Sequence, residues 1–259
     1  MRKKSSKLQL ALLIPDTHRG WHDKRAYSLM IKVAKDLNPD GIYLLGDYAD
    51  MYDINGHGPK DPRIAQTLQD EVNDVNSGLD ELDKLFPYAK KYYIQGNHEF
   101  RLERYIQNRC PEIFGFVSCQ DLFKIRERKN WTWVPYGPSQ KTRILGSKLW
   151  AKHEPLASSA KATASKALCS LVYGHIHRIE QSHITGMEGE EHVCFSVGWL
   201  GQKKADEVFG YVKSHHQWQL GFGLVWVDPK TKNFYHQIVH ILDNYTCVVN
   251  GKLYSYEKK

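Results

Sequence analysis

Apolar positions along the chain fall into short buried runs separated by amphipathic stretches. After a basic start, the mostly apolar run from Leu8 to Ile14 ends at Pro15-Asp16-Thr17-His18 and reads as a buried first strand. From Lys24 to Leu37 the apolar residues Ala26, Leu29, Met30, Val33, Ala34 and Leu37 follow the spacing of one helix face, with Asp23 placed to cap its start. Asn38-Pro39-Asp40-Gly41 stops that helix, and Ile42 to Leu45 reads as a second buried strand leading into Gly46-Asp47. Strand, helix and strand in that order imply a parallel sheet.

The unit then repeats. A Gly/Pro/Asp-rich loop, Asn55 to Pro62, precedes a helix with Leu68, Val72, Val75, Leu79, Leu82 and Phe86 on one face and acidic residues on the other. Tyr92-Tyr93-Ile94 is the next strand, ending at Gly96-Asn97-His98-Glu99, and Phe100 to Asn108 starts another helix. Cys110 to Pro138 is irregular and aromatic, with Trp131, Trp133 and Tyr136, and supports only mixed helix and short strand. Order returns with Lys148 to Lys152 before His153, Leu171-Val172-Tyr173 before Gly174-His175, and Cys194 to Val197 before Gly198-Trp199. Leu224 to Val227 and Tyr235 to Ile241 are further strands, and Asn250-Gly251 suits the type I′ turn of a closing hairpin. No repeat, low-complexity tract or linker cuts the chain, so residues 1–259 read as one domain, with 100–147 a candidate cap or insertion over its site.

Composition narrows the class. At 41% hydrophobic and 25% charged, the 259 residues exclude a disordered, collagen-like or coiled-coil chain. No apolar run approaches the roughly 20 residues that a membrane-spanning helix needs. The basic start followed by a hydrophobic run imitates a signal peptide, but it lacks a small-residue cleavage site, so the expected location is the cytoplasm. The 5 cysteines are scattered without a C-x-x-C pair and read as reduced packing residues. The formal charge of +7 invites a nucleic-acid hypothesis, yet Arg2, Lys3, Lys4 and Lys7 at one end and Lys258 and Lys259 at the other carry most of it. The body between them is nearly balanced.

The candidate chemistry is concentrated at strand ends. Asp16 and His18, Asp47, Asn97 with His98, His153, and His175 with His177 each lie at or just past the carboxyl end of a predicted strand. In a parallel α/β sheet those ends converge on one edge, where ligands bind. The i, i+2 spacing of Asp16 with His18 and of His175 with His177 would point each pair to one side of an extended chain. Carboxylate and imidazole without thiolate suit Mn, Fe, Zn or similar divalent ions. A carboxylate such as Asp47 can bridge two ions, and two ions about 3.5–4 Å apart can serve an in-line phosphoryl displacement. Each short motif is weak alone. The ordered set is specific: D-x-H, then G-D-x-x-D at Gly46 to Asp50, G-N-H-E at Gly96 to Glu99, isolated His153, and G-H-x-H at Gly174 to His177.

That set resembles the calcineurin-like metallophosphoesterase superfamily, with motifs from Asp16 to His177 and later strands that fit its second sheet. The resemblance implies an α/β fold, a four-layer α-β-β-α sandwich of two mixed sheets, with a dinuclear metal site at the strand ends. It implies one metal held by Asp16, His18, Asp47 and His177, and another by Asp47, Asn97, His153 and His175. The ions would be two divalent metals, Mn foremost, with Fe, Zn, Ni, Co or Mg as other choices. His98 resembles the family's catalytic histidine, which would stabilise the transition state or protonate the leaving oxygen, with Asp50 as the carboxylate that orients it. A metal-bridging hydroxide would be the nucleophile. Asp50 is followed by Met51, where the phosphoprotein-phosphatase branch carries a phosphate-gripping Arg, so a Ser/Thr protein phosphatase is not expected. The forms G-D-Y-A-D and G-N-H-E-F-R-L-E-R-Y are instead similar to stand-alone enzymes of phage and bacterial genomes, some of them nucleotide phosphatases.

The groups that would choose a substrate are less legible. Arg101 and Arg104 share one side of the helix after the G-N-H-E motif and would grip phosphate, or would form a solvated face beside Glu103. Residues 153–166 read as a phosphate-facing loop or an Ala-rich helix with its lysines in water, and His57 with Lys60 is equally open. Trp199 would stack on a base or sit in the core. The first expectation is a phosphomonoesterase acting on (deoxy)nucleoside 5′-monophosphates, a phosphorylated small molecule rather than a membrane being the partner. The alternative is a phosphodiesterase or nuclease acting on DNA, RNA or cyclic nucleotides, favoured by the basic ends, the segment Arg126-Glu127-Arg128-Lys129 and the interleaved aromatics. A non-catalytic scaffold would show eroded ligands, and none is eroded.

Overall fold

A computed structural model describes residues 7–54, 67–202 and 217–257. Arg2, Lys3 and Lys4, the loop Asn55 to Pro62 with His57 and Lys60, and the last two lysines lie outside the described residues. In chain order the strands and helices are β1 (Gln9–Ile14), α1 (Lys24–Leu37), β2 (Gly41–Leu44), α2 (Leu68–Leu85), β3 (Lys90–Ile94), α3 (Arg101–Arg109), α4 (Cys119–Leu122) and β4 (Trp131–Val134). There follow β5 (Thr142–Arg143), β6 (Trp150–Lys152), α5 (Ala160–Ala167), β7 (Leu171–Tyr173), β8 (Ile179–Thr185), β9 (Glu191–Val197), β10 (Gly221–Val227), β11 (Phe234–His240), β12 (Thr246–Val249) and β13 (Lys252–Ser255).

One sheet has the order β11-β10-β1-β2-β3-β4 and the other β5-β6-β7-β9-β8. In the first, β1 to β4 run parallel, while β10 adds antiparallel to β1 and β11 to β10. In the second, β6, β7 and β9 are parallel and the two edge strands antiparallel. The apolar run of β1 explains how the layers stack. Leu10, Leu12 and Ile14 join a core with Leu29, Met30 and Val33 of α1 and Val75, Leu79 and Leu82 of α2. The alternate residues Ala11 and Leu13 join a second core with Val172 of β7 and Phe195 and Val197 of β9. A third core packs Ala164 of α5 on Leu171, Tyr173 and Cys194. Helices, sheet, sheet and helix are therefore the four layers.

The helix signals hold in detail. Asp23 accepts from the backbone of Arg25 and Ala26 at the start of α1, and Thr67 with Asp70 forms a capping box on α2. The Ala-rich stretch is the helix α5, with Lys161 and Lys166 exposed. Asn250 and Gly251 both have positive φ, as a type I′ turn requires, between β12 and β13. Two features were not foreseen. The edge strand β8 has the sequence Ile-Glu-Gln-Ser-His-Ile-Thr with no fully buried residue. The irregular aromatic stretch is knit into the main body: β4 extends the first sheet, and Leu102, Ile106, Cys119, Phe123 and Ile125 lie in the first core.

Candidate metal centre

The site is built on loops that leave five strands, three from the first sheet (β1, β2, β3) and two from the second (β6, β7). It therefore straddles both sheets at one end of the sandwich, not the edge of a single sheet. Asp16, His18, Asp47, Asp50 and His153 are buried to 2% exposure or less. Among the described residues, beside a trio of His18, Asp50 and His98, two further groups of ligand atoms converge: Asp16, His18, Asp47 and His177 in one, Asp47, His153 and His175 in the other. Asp47 belongs to both. Asn97 joins the second group, its Oδ1 2.9 Å from both His153 Nε2 and His175 Nδ1.

The backbone sends these side chains inward by left-handed turns. His18, Asp47, His175 and His177 have φ of 47°, 47°, 71° and 56°. Extended-chain alternation is thus not what places the i, i+2 pairs. The turn at His175 and His177 splits that pair, one imidazole going to each ligand group. Gly46 is required twice over: its φ is +96°, and a Cβ there would collide with the His153 ring.

Outer partners fix the imidazoles. His18 Nδ1 lies 2.8 Å from Asp50 Oδ1, and His153 Nδ1 lies 2.9 Å from the Leu45 carbonyl. With Nδ1 anchored there, each ring turns its Nε2 toward the cluster, where its lone pair would serve a cation once the proton is displaced. Across the first group, His18 Nε2 is 3.2 Å from His177 Nε2, and His177 Nε2 is 3.5 Å from Asp16 Oδ1. Asp16 Oδ2 is buried without a hydrogen-bond partner. Three buried carboxylates, inward-facing imidazole nitrogens and an orphaned carboxylate oxygen make a donor set that fits divalent cations. The electrostatics agree. Burial alone would raise the Asp47 carboxyl, but the charges of His153, His98 and His18 outweigh it and hold it well below the carboxylate range. Burial likewise pulls His153 down, and Asp47 overrides it, pushing the imidazole up to about 10. His177, where burial dominates, falls to about 4.

Asp50 sits behind the ligands and serves two rings. Its Oδ1 is 2.8 Å from His18 Nδ1 and 2.9 Å from His98 Nδ1. His98 is also fixed by its backbone N–H, which donates to Asp47 Oδ1 at 2.9 Å. Arg101 is buried, not solvated: it donates to the Asp50 carbonyl at 2.8 Å and to His98 Nε2 at 3.1 Å. Because guanidinium only donates, His98 Nε2 accepts there and Nδ1 carries the proton. Arg104 is exposed, its guanidinium over the Phe100 ring, and Glu103 bonds Gln95 instead of an arginine. The expectation that Trp199 stacks on a base is corrected. It is 1% exposed and lies flat on His177, 4.8 Å between centroids, with Trp218 and His18 at its edges, so it orients a ligand and has no face open to a base.

The G-N-H-E motif itself suggests no task for Glu99. Fully buried, its carboxylate accepts from the backbone N–H groups of Asp47, Ala49 and Gly96 and from the Tyr93 hydroxyl. It ties the loop after β2 to the loop after β3. Glu71 repeats the device one layer out, accepting from Met51 and Tyr52, and burial with the nearby Asp50 pushes its carboxyl up to about 8. A Glu on the acidic side of an amphipathic helix gave no sequence signal for that.

The family model for calcineurin-like phosphoesterases matches residues 11–242. The chain belongs to this family. It is thus a phosphoester hydrolase by class. Among solved structures, the chain is similar to Vacuolar Protein Sorting 29 from Cryptosporidium parvum, at 13% identity and a TM-score of 0.46 over 96% of this chain and 95% of that one. It is also similar to Yfce, a phosphoesterase from E. coli, at 15% identity and a TM-score of 0.41 over 89% of this chain and 99% of that one. No curated protein matches the sequence. No helix among the described residues is long and apolar enough to cross a membrane.

Proposed function

We propose that the chain is a phosphomonoesterase that works with two divalent cations and takes nucleotides, (deoxy)nucleoside 5′-monophosphates above all, as substrates. The observation that supports it most is the shared carboxylate: Asp47 stands in both ligand groups. In this reading Asp16, His18, Asp47 and His177 hold one cation and Asp47, Asn97, His153 and His175 the other. Manganese suits the mixture of imidazole and oxygen donors without thiolate. When bound, the cations supply polarisation of the phosphoryl oxygens and activation of water at neutral pH.

The residues around them divide the remaining work. Asp50 holds His98 in one tautomer, so that its Nε2 faces the mouth beside Arg101. Arg101 grips a phosphoryl oxygen, the part for which the Asp50-Met51 junction offers no arginine. Once Arg101 engages phosphate, His98 Nε2 is released to take up a proton and pass it to the leaving oxygen, while Nδ1 keeps its own proton on Asp50. Glu154, directly after His153, adds an acid at the mouth that one terminal phosphate tolerates better than the repeated charge of a strand.

The test is a substrate panel with purified protein and Mn²⁺: an aryl phosphomonoester, its bis-aryl diester, dAMP, a 3′,5′-cyclic nucleotide and single-stranded DNA. Hydrolysis of dAMP and the aryl monoester with slow diesters is the expected result. Cleavage of diesters and DNA with dAMP inert would replace this reading by the nuclease one.

A further inference from the structure

Most of the large aromatic residues near the strand ends serve the cores. Tyr93, Phe123, Trp131, Trp133 and Trp199 all belong to or pack on the first one. Phe100 and Tyr136 belong to none of the three, yet they stack on each other with centroids 4.8 Å apart and planes 29° apart. Both are half-buried. Phe100 is two residues past His98, and Tyr136 is two residues past the end of β4, the neighbour of β3. Phe100 thus lies within about 7 Å of chain from His98.

The pair is held from several directions. The Tyr136 hydroxyl donates to Glu154 Oε1 at 2.6 Å, and Glu154 adjoins the ligand His153. The Tyr136 backbone N–H donates to Gln95 Oε1 at 2.9 Å, while Gln95 Nε2 donates to Glu103 of α3 at 2.9 Å. Arg104, adjacent to Glu103 on α3, sets its guanidinium 5.8 Å from the centre of the Phe100 ring. A rigid aromatic step with an arginine at its side, fixed to two of the loops that carry ligands, is preorganised for a flat, electron-rich ring.

The geometry points to the Phe100–Tyr136 step as the nucleobase-binding surface, with the Arg104 guanidinium over Phe100, so that the base stacks there while the 5′-phosphate reaches the metal centre. This rests on the phosphoesterase reading of that centre and names what selects its substrate. Aromatic stacking supplies roughly 1–3 kcal/mol per base, and each 1.4 kcal/mol is tenfold, so truncating either ring should cost about tenfold in base-dependent affinity.

The experiment uses the full chain with Mn²⁺ and two readouts. The first is quenching of 2-aminopurine deoxyribonucleoside 5′-monophosphate fluorescence on binding, which does not depend on turnover. The second is the ratio of kcat/KM for dAMP to that for 2-deoxyribose 5-phosphate, which has no base. Wild type should quench saturably and favour dAMP. Tyr136→Ala and Phe100→Ala should weaken binding of the fluorescent nucleotide and lower the ratio by about tenfold, and Tyr136→Phe should keep most of both. Quenching lost in the alanine variants while dAMP is not hydrolysed would uphold the stacking site and sink the nucleotidase reading. Quenching and ratio unchanged in both alanine variants, with circular dichroism showing them folded, would overturn the step as a base site.

Discussion

Glu99 is the residue whose removal should be felt most widely. Its carboxylate serves three backbone N–H groups and a hydroxyl. Glu99→Gln keeps the shape, but leaves one carbonyl oxygen for those donors and turns an NH₂ toward them. We expect a loss of roughly 2–4 kcal/mol in denaturant unfolding, together with a 10- to 100-fold weaker Mn²⁺ affinity by titration. A second residue carries a pH dependence. Burial and the neighbouring Arg19 pull His22 down to about 4, so the folded state favours its neutral form. Because that value lies below the ordinary one for His, the contribution is intact above about pH 6.5 and is lost as pH falls toward 4. Unfolding free energies from urea titration should fall over that window by roughly 2–4 kcal/mol more for wild type than for His22→Phe. Equal pH profiles would refute the assignment. At this scale the sequence spoke clearly for the Asp and His side chains that cluster, because their types and order are chemical. It was silent on Glu99 and Glu71, whose work is hydrogen bonding to loop backbone that only the folded chain assembles.

Among the elements, those with a strong period were readable. The face of α1, the uniform apolar run of β1 and the Asn250-Gly251 turn each carry their cause in a few adjacent residues. The edge strand β8 does not, because its half-exposed positions leave neither alternation nor a buried run. The spacing of His175 and His177 misled in its mechanism, since the left-handed φ of both is invisible in an i, i+2 pattern. Loop geometry after β2 offers the clearest test. Gly46→Ala adds a Cβ at φ +96° against His153. We expect at least about 2 kcal/mol of destabilisation and a loss of metal-dependent turnover, measured together by thermal melting and phosphatase assay.

Over the whole molecule, the layers exist to bring loops of two sheets to one end of the sandwich. Leu13 of β1 lies between the sheets and is fully buried, so Leu13→Ala should cost about 2–5 kcal/mol without touching a ligand. The formal charge of +7 also takes on a different meaning. Much of it sits in the chain ends, whereas the end of the sandwich concentrates the buried carboxylates Asp16, Asp47 and Asp50, which in the proposed reading two divalent cations would compensate. The most direct measurement is therefore metal content against activity: chelated protein is titrated with Mn²⁺, bound ions per chain are counted by elemental analysis, and phosphomonoester hydrolysis is followed in the same samples. Two ions per chain are expected in wild type and His98→Ala, with turnover largely lost in the latter, and fewer ions with no turnover in Asp47→Asn. Full activity in the chelated protein, or unchanged metal content in Asp47→Asn, would contradict a dinuclear centre bridged by Asp47.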